Sequence, residues 1–443
     1  MEKQNVYQKP VTLGNILKFA IPTIAMTVFM SFYTMADGLF VSNLVGIDAL
    51  SAINLTAPVI QLVTAISTML ATGGSAVIMK KMGEKKEEEA KGDFTFLILV
   101  NVAAGIIMCG AGYMAMDKIF NGMGLSEAVA GYCKEYLSRY LLFTVPILLM
   151  NNFTLYMIAS GKAALSLICS VTGGCLNMVL DYIFIAIFNM GIGGAAVATG
   201  LGYSVTAVAG LAVFSSKKKL LHFKKPVFSM KVLASAASNG CSEMATALVT
   251  SIITMMFNWT MLHYVGENGI AAVTIITYVL MFASSLYTGY SYGVAPMVSF
   301  YYGGQDNKKL KKLVETSISV IAFISVLTAV LSFTFTKPLV SIFARPDNPV
   351  YSLAVTGNRI CTIALLFIGF NIFASGMFTA LSNGIVSAVL AFSRSFVFML
   401  ITMIILPVLF GVNGIWFATP VAELMALALS AGIFIKYKKK YKY

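Results

Sequence analysis

Apolar segments of roughly 20 to 30 residues recur along the whole chain, separated by short clusters of Gly, Asn, Pro or Lys. A helix needs about 20 apolar residues to cross the hydrocarbon core of a bilayer, so each segment fits one membrane-spanning helix. The pattern predicts an all-α membrane protein with twelve transmembrane helices. Their approximate bounds are 14–44, 49–79, 93–117, 130–157, 163–188, 192–216, 231–262, 270–300, 310–335, 351–380, 384–410 and 414–437.

The composition agrees with a membrane location. Of the 443 residues, 58% are hydrophobic and only 11% are charged, whereas a soluble chain has about 25% charged residues. The first ten residues, MEKQNVYQKP, are polar and lack the pattern of a cleavable signal. We therefore expect the first apolar segment to remain as a spanning helix.

Lysine and arginine sort to one side of the predicted membrane. The termini and the connections after even-numbered spans carry 24 of the 31 basic residues. This asymmetry predicts that both termini are cytoplasmic in a multi-pass protein of a bacterial or archaeal plasma membrane. It also explains the net charge of +13 by topology and contact with anionic lipid, so binding of nucleic acid is not expected.

The chain contains an internal repeat at a constant offset of 220 residues. "GIGGAAVAT" (191–199) matches "GVNGIWFAT" (411–419) at that offset. Further glycines recur in the same way: Gly46, Gly73 and Gly83 as Gly266, Gly293 and Gly303. The repeat predicts two six-helix lobes, 1–216 and 231–443, related by a pseudo-two-fold axis along the membrane normal and joined by a basic cytoplasmic linker, 217–230. Such a seam between lobes is typical of alternating-access transporters.

A few polar residues lie at one depth within the first lobe. Asp37, Asp181 and Thr199 each lie about seven residues from the outer end of their span, some 10 Å below the boundary. Tyr33 and Asn177 precede the two aspartates by four residues, so each pair shares a helix face. Carboxylate, amide and hydroxyl oxygens at one level predict a proton or Na⁺ site, because two nearby buried carboxylates share a proton when no cation is bound. The alternative is that each aspartate only accepts interhelical hydrogen bonds.

The second lobe has its own buried ionisable residues. Glu243, Arg394 and Glu423 lie about 10 to 13 residues from the cytoplasmic ends of their spans, at a similar depth. One cation and two anions predict a buried ion pair with a further acceptor, either structural or engaged in coupling or substrate binding.

Pro22 lies in the same predicted helix as Asp37 and removes one backbone hydrogen bond, which permits a kink. The chain has no phosphate-binding loop, nucleophile elbow or dinucleotide fingerprint, and its two histidines lack ligand-spaced partners. We therefore expect neither an enzyme nor a cofactor or metal centre beyond Na⁺ at Asp37 and Asp181. The energy for transport would come from an ion gradient.

The motifs "YTMAD" (33–37) with Pro22, "LNMVLDY" (176–182) and "GIGGAAVAT" (191–199) together resemble the MATE (multidrug and toxic compound extrusion) family, in its DinF-like branch. The resemblance covers the whole chain. It implies that Asp37, Asn177, Asp181 and Thr199, with Tyr33 beside them, are the cation or proton ligands, and that Pro22 is the kink residue. Another branch places a carboxylate in span 10, which has none here.

The resemblance and the residues together predict a multidrug exporter that antiports amphipathic or cationic organic compounds against H⁺ or Na⁺. We expect a monomer whose partners are small-molecule drugs and the lipid bilayer. One alternative is a flippase for lipid-linked oligosaccharide or precursor lipids, but within the spans Arg394 is the only clear cation available for a pyrophosphate. A non-transporting membrane protein would need neither the matched carboxylates nor the duplication.

Overall fold

The structure, a computed structural model, describes Tyr7 and residues 9–44, 47–122, 127–216 and 220–443. The side chains of 36–44, 47–51, 54, 122, 127 and 128 are outside this description. Asp37 is in that group, so its backbone is known to be helical but its side chain lies outside the described residues. Residues 217–219 of the predicted linker are also outside it.

All regular secondary structure of the described residues is helical, as the sequence predicts. The first half, called the N-half, contains α1 (Leu13–Leu44), α2 (Ile47–Gly83), α3 (Glu87–Gly122), α4 (Glu127–Leu141), α5 (Thr144–Ala159), α6 (Ala163–Asp181) and α7 (Gly191–Ser215). The second half, called the C-half, contains α8 (Met230–Tyr264), α9 (Glu267–Gly303), α10 (Asn307–Thr334), α11 (Thr336–Ser341), α12 (Pro349–Cys361), α13 (Leu365–Ala380), α14 (Gly384–Phe392), α15 (Met399–Phe410) and α16 (Val412–Tyr441).

Within the described residues, 11 helices are long and apolar enough to cross a membrane, or 12 when one bent pair counts as a span. The bent pair is the predicted fourth span, which the sequence pattern treats as one continuous helix over 130–157. It bends by 54° between Leu141 and Thr144. Pro146 lies in the first turn of α5 and has no N–H to bond the carbonyl of Leu142, so the helix breaks just before it.

Two spans contain a short π-helical segment that the sequence analysis did not anticipate. Tyr182–Ile187 continues α6 directly after Asp181, and Ser393–Phe398 joins α14 to α15. A π-helical turn holds an extra residue and therefore rotates the side chains that follow it relative to an α-helix. The first of these segments adjoins the predicted ion site, and the second contains Arg394.

The two halves approach closely at one end of the bundle. A Cβ atom on Gly83 would collide with the carbonyl oxygen of Phe300, and a Cβ atom on Gly303 would collide with that of Lys80. The two contacts are related by the 220-residue offset, as expected for a duplicated fold with a pseudo-two-fold axis. Only glycine permits this approach of backbone to backbone, so the seam between the halves is closed at this level.

We call this end of the bundle the basic end, because it carries most of the lysines. Contacts join its parts: Lys80 lies over the ring of Tyr302, Asn383 donates to the hydroxyl of Tyr441, and Lys224 of the linker pairs with Glu88. Its connections and termini are residues 9–12, 84–86, 160–162, 220–229, 304–306, 381–383 and 442–443.

Tyr7 bridges the two halves at the basic end. Its ring stacks on Phe300 of α9 at 4.9 Å between centroids, and it also contacts Phe19 of α1. Its hydroxyl donates a 2.5 Å hydrogen bond to the carbonyl oxygen of Ala159, at the end of α5. The side chain of Tyr7 is buried. We call the described part of the segment before α1, Tyr7 and residues 9–12, the strap, because it crosses the seam between the halves.

Candidate functional site

Helices α6 and α7 bring two predicted site residues into contact. The side-chain amide of Asn177 donates a 3.2 Å hydrogen bond to the hydroxyl of Thr199. The helices come this close because glycines face each other: a Cβ atom on Gly202 would lie 2.7 Å from the carbonyl oxygen of Gly173. Asp181 follows Asn177 by one helical turn, at the C-terminus of α6.

This junction is shielded from solvent. Asn177 is 1% exposed and Asp181 is 0% exposed. Among the described residues, the side-chain oxygen of Asn177 has no hydrogen-bond partner, because the amide group of the same residue is directed to Thr199. A buried oxygen with an unused lone pair suits a hard cation or a protonated carboxyl group. The donor set present therefore fits the predicted ion chemistry.

Tyr33 belongs to the same junction from the side of α1. It is 5% exposed and lines a cavity of about 10 Å³ together with Gly173, Gly174 and Tyr203. That volume is about enough for one water molecule. Asp37 follows Tyr33 by one turn of α1, although its side chain lies outside the described residues. The structure thus brings Tyr33, Asn177 and Thr199 to one junction of three helices, with Asp181 one turn further along α6.

Pro22 lies inside α1, which remains helical through it from Leu13 to Leu44. Prolines also lie inside α2, α9, α15 and α16, at Pro58, Pro296, Pro407 and Pro420. A proline within a spanning helix is therefore common in this chain. The kink at Pro22 stays a prediction.

In the C-half, Arg394 pairs with Glu423. The Nε atom of Arg394 donates to both carboxylate oxygens of Glu423, at 2.8 and 3.0 Å. Asn371 donates to the same carboxylate at 2.8 Å and to the backbone carbonyl of Glu423 at 2.9 Å. Ser430 completes the chain by donating to the side-chain oxygen of Asn371. Glu423 is buried and Arg394 is part-buried. Because the carboxylate accepts from both Arg394 and Asn371, it holds α13, α16 and the second π-helical segment together.

Glu243 has a different environment from the other two residues of the predicted cluster. It lies near Tyr292 and Arg394, but among the described residues it has no ion pair. It lines a cavity of about 30 Å³ on the seam, with Tyr292 and Ser291 of α9 and with Thr72 of α2. The carboxylate therefore faces a space shared by the two halves.

Two contributors to these sites were missed by the sequence analysis. Asn371 is a polar residue in the strongly apolar stretch LLFIGFNIFASG of the tenth span. That contrast in polarity is the feature of the sequence that indicates it. Tyr292 gave no signal, because tyrosines are frequent in this chain. Among the described residues, no group of three His, Cys, Asp or Glu side chains is placed to hold a metal ion.

Comparison with protein families gives one match that covers most of the chain. The sequence model of the family described as MatE matches residues 22–183 and again 244–405. The double match reproduces the internal repeat.

Curated relatives are similar over almost their whole length. The multidrug export protein MepA of Staphylococcus saprophyticus is 22% identical over 431 residues, which is 96% of this chain and 93% of the relative. MepA of Staphylococcus aureus, strain bovine RF122, is 22% identical over 439 residues, which is 98% of this chain and 96% of the relative.

Solved structures share the fold. A multidrug resistance MATE family transporter of the MOP superfamily, in an outward-facing conformation, has a TM-score of 0.93 at 22% identity and covers 100% of this chain and 99% of its own. A MOP superfamily transporter from Pyrococcus furiosus, described as having a binding pocket of reverse polarity, has a TM-score of 0.91 at 21% identity with 100% and 99% coverage.

Proposed function

The chain belongs to the MatE family, and from that premise we propose that it exports amphipathic and cationic organic compounds in exchange for H⁺ or Na⁺. The observation that carries the ion-binding part is the buried contact of Asn177 with Thr199, one turn from Asp181. The multidrug export named for the MepA relatives supports the substrate class.

The basic end is proposed to face the cytoplasm. The lysine-rich connections after α2 and α9, the linker and the C-terminus all lie there, and basic loops remain on the cytoplasmic side of a membrane. The buried junction of α1, α6 and α7 then lies in the outer half of the membrane. The driving ion is more concentrated outside the cell, and it reaches the junction from that side.

The ion step rests on the oxygens of this junction. Asp181 supplies a carboxylate, Asn177 an amide oxygen and Thr199 a hydroxyl, all of which are ligands that Na⁺ accepts. A proton needs only the carboxylate. In either case the arriving cation neutralises negative charge at the site. Because Tyr33 and Asp37 belong to α1, this change of charge acts on α1.

Antiport requires that ion and drug favour opposite states of the transporter. The coupling is a difference in affinity between those states, and it acts equally in both directions. The close glycine contacts at the basic end support an outward-facing arrangement, the state described for one of the similar structures. Separation of the halves at that end would admit a cytoplasmic compound to the seam, where Glu243 supplies a negative charge for a cationic group.

The flippase alternative gains no support from the C-half. A pyrophosphate needs several cations along the seam, but Arg394 is already paired with Glu423.

Transport in inverted membrane vesicles under an imposed pH or Na⁺ gradient tests the proposal. Asp181→Asn and Asp37→Asn should each abolish gradient-driven movement of an organic cation such as ethidium, because an amide cannot take up a proton and binds a cation more weakly. Asp347→Asn is the matched control, since Asp347 is exposed on the connection between α11 and α12 of the C-half and is not part of the junction.

Two results would contradict the proposal. Wild-type rates in the Asp181→Asn variant would remove the ion-site assignment. If wild-type protein moved no organic cation under either gradient, the export function itself would be wrong.

A further inference from the structure

A groove of about 610 Å³ lies between α1 and α10 at the basic end. Leu13 and Leu17 of α1 form one wall, and Val320, Phe323 and Ile324 of α10 form the other. The groove therefore joins the N-half to the C-half. Its volume is within the range of about 300–1,000 Å³ that is typical of sites for drug-sized molecules. Leu13 is 50% and Phe323 is 68% exposed, so the apolar walls are accessible to a molecule dissolved in the bilayer.

One carboxylate borders this apolar groove. The side chain of Glu315, on α10, is 64% exposed. Lys311, one turn earlier, places its Nζ atom 3.9 Å from the Oε1 atom of Glu315, and its own side chain is 57% exposed. Such a solvated pair, beyond hydrogen-bond distance, contributes little free energy. The carboxylate can therefore exchange Lys311 for another cation at little cost.

The other polar groups of the lining are already satisfied within α10. The hydroxyl of Thr316 donates to the carbonyl oxygen of Lys312 at 2.7 Å, and that of Ser319 donates to the backbone carbonyl oxygen of Glu315 at 3.1 Å. Among the described residues that line the groove, none is basic, although the groove lies at the basic end. A single negative charge on an apolar surface matches a molecule that has a positive charge and an apolar body.

The corresponding surface of the N-half is covered by the chain itself. Thr95 of α3 lies 220 residues before Glu315, and its hydroxyl accepts a 3.0 Å hydrogen bond from the backbone N–H of Lys224 in the linker. The C-half has a carboxylate in the place of this hydroxyl, and it has Phe323 in the place of Ala103. The second copy has therefore exchanged a contact of the linker for a negative charge and a larger apolar surface.

The groove lies at the depth that amphipathic cations occupy in a bilayer. Glu315 is about 12 Å along α10 from Asn307, and the 28-residue helix, at about 42 Å, is longer than the ~30 Å hydrocarbon core. The carboxylate therefore lies near the boundary between headgroups and hydrocarbon. An amphipathic molecule binds at this boundary, with its apolar part among the acyl chains and its charge near the headgroups.

The groove also lies beside the contact that must open for transport. On the neighbouring face of α1, a Cβ atom on Gly293 of α9 would lie 2.9 Å from the Cα atom of Ala20. This contact between α1 and α9 closes the seam, and it separates when the halves move apart. A compound held in the groove is therefore next to the seam that it has to enter.

We propose that this groove is the entry site at which an amphipathic organic cation binds from the cytoplasmic leaflet before the halves separate. The cationic group pairs with Glu315, and the apolar body packs against Leu17 and Phe323. The inference rests on the proposed export function and adds the place where the substrate is collected. The coupling ion binds elsewhere, at the junction of α1, α6 and α7.

Photolabelling with ethidium monoazide tests the site without transport. The full chain in inverted membrane vesicles is irradiated with the compound in the absence of a gradient, and peptide mass spectrometry locates the adducts. They are expected within residues 13–17 or 315–324, and excess tetraphenylphosphonium should suppress them. Glu315→Gln should reduce the labelling about fivefold at subsaturating concentration, which corresponds to ~1 kcal/mol. Glu315→Asp keeps the charge and should retain the labelling.

Glu87→Gln is the charge-matched control, because Glu87 is an exposed acid at the basic end that does not border the groove. It should leave the labelling unchanged. An equal reduction in this control would mean that only the overall surface charge attracts the cation, and the site would be overturned. Adducts confined to other segments would leave the groove to lipid acyl chains and would also overturn it.

Ethidium transport under an imposed gradient separates this inference from the proposed export. In Glu315→Gln the half-saturating concentration should rise about fivefold while the maximal rate is retained, because the groove acts before the ion-coupled step. Wild-type kinetics in this variant would overturn the entry site alone and leave the export function standing. If the wild-type protein moved no ethidium under either gradient, the export function and the entry role would both be wrong.

Discussion

Arg394 and Glu423 place two opposite charges inside the C-half, where the side chain of Glu423 is only 6% exposed and that of Arg394 is 19% exposed. Their ion pair and the hydrogen bonds from Asn371 compensate for this burial. A buried ion pair contributes little compared with an apolar pair of the same size, but an unpaired buried charge is strongly destabilising. The two residues are therefore expected to tolerate joint replacement better than replacement of either one.

Replacement of Arg394 by methionine should lower the free energy of unfolding by about 3–5 kcal/mol, because Glu423 is left as an uncompensated charge. Glu423→Gln should be destabilising for the same reason, although its amide oxygen still accepts from Asn371. The double variant should be more stable than Arg394→Met alone. Denaturant unfolding of the protein in detergent measures all three.

The result that would contradict this expectation is simple additivity. If the double variant loses as much free energy as the two single variants together, the charges act independently. The ion pair would then have no role in holding α13 and α16 to the second π-helical segment.

Helices α2 and α9 illustrate how glycine controls the contact between elements. Gly83 and Gly303 let the two helices approach until backbone meets backbone, and the same contact occurs twice through the duplication. The approach exists only while the basic end is closed. A side chain added at either position is therefore unfavourable in the closed arrangement and harmless when the halves separate.

Gly83→Ala should shift the protein toward an arrangement that is open at the basic end. Inserting a methyl group into a tight contact costs about 1–3 kcal/mol, and that penalty acts on the closed form alone. Distances between spin labels at positions 86 and 308, in a background without the native cysteines, should lengthen. Both positions are exposed: 86 lies on the turn after α2, and 308 lies in the first turn of α10.

Gly432→Ala is the matched control for this experiment. Gly432 lies in α16 and a Cβ atom there would meet nothing within 4 Å. It should leave the label distances unchanged. If Gly83→Ala also leaves them unchanged, the close contact does not hold the basic end closed.

Across the whole molecule, the two halves are held together at the basic end by more than the helix contacts. Tyr7 joins α5 of the N-half to α9 of the C-half, and Lys224 ties the linker to α3 through Glu88. Such a strap must detach when the halves separate, so it favours the closed arrangement.

Tyr7→Ala should lengthen the same label distances and lower the midpoint of thermal unfolding. The lost aromatic packing is worth about 3–5 kcal/mol, as for other large-to-small changes in a buried site. Tyr7→Phe should have a smaller effect of about 1 kcal/mol, since it removes only the hydrogen bond to Ala159. Equal effects of the two variants would mean that the hydroxyl, and not the ring, holds the strap.

Much of the architecture was predictable because the lipid environment leaves few choices. A backbone in hydrocarbon must satisfy its own hydrogen bonds, so long apolar segments become helices. The number of spans, the all-helical class and the duplication follow from that rule and from repeated glycines. The bend before α5 was not predicted, because the apolar pattern continues across Pro146.

The sequence alone placed Asn177 and Thr199 at one depth, because depth depends only on the count of residues from a helix end. The rotation of each helix and the choice of neighbours were decided by the tertiary structure. Close packing of Gly173 on Gly202 directs Asn177 toward Thr199. In the C-half, Arg394 lies in the second π-helical segment and pairs with Glu423, whereas Glu243 is left without an ion pair among the described residues.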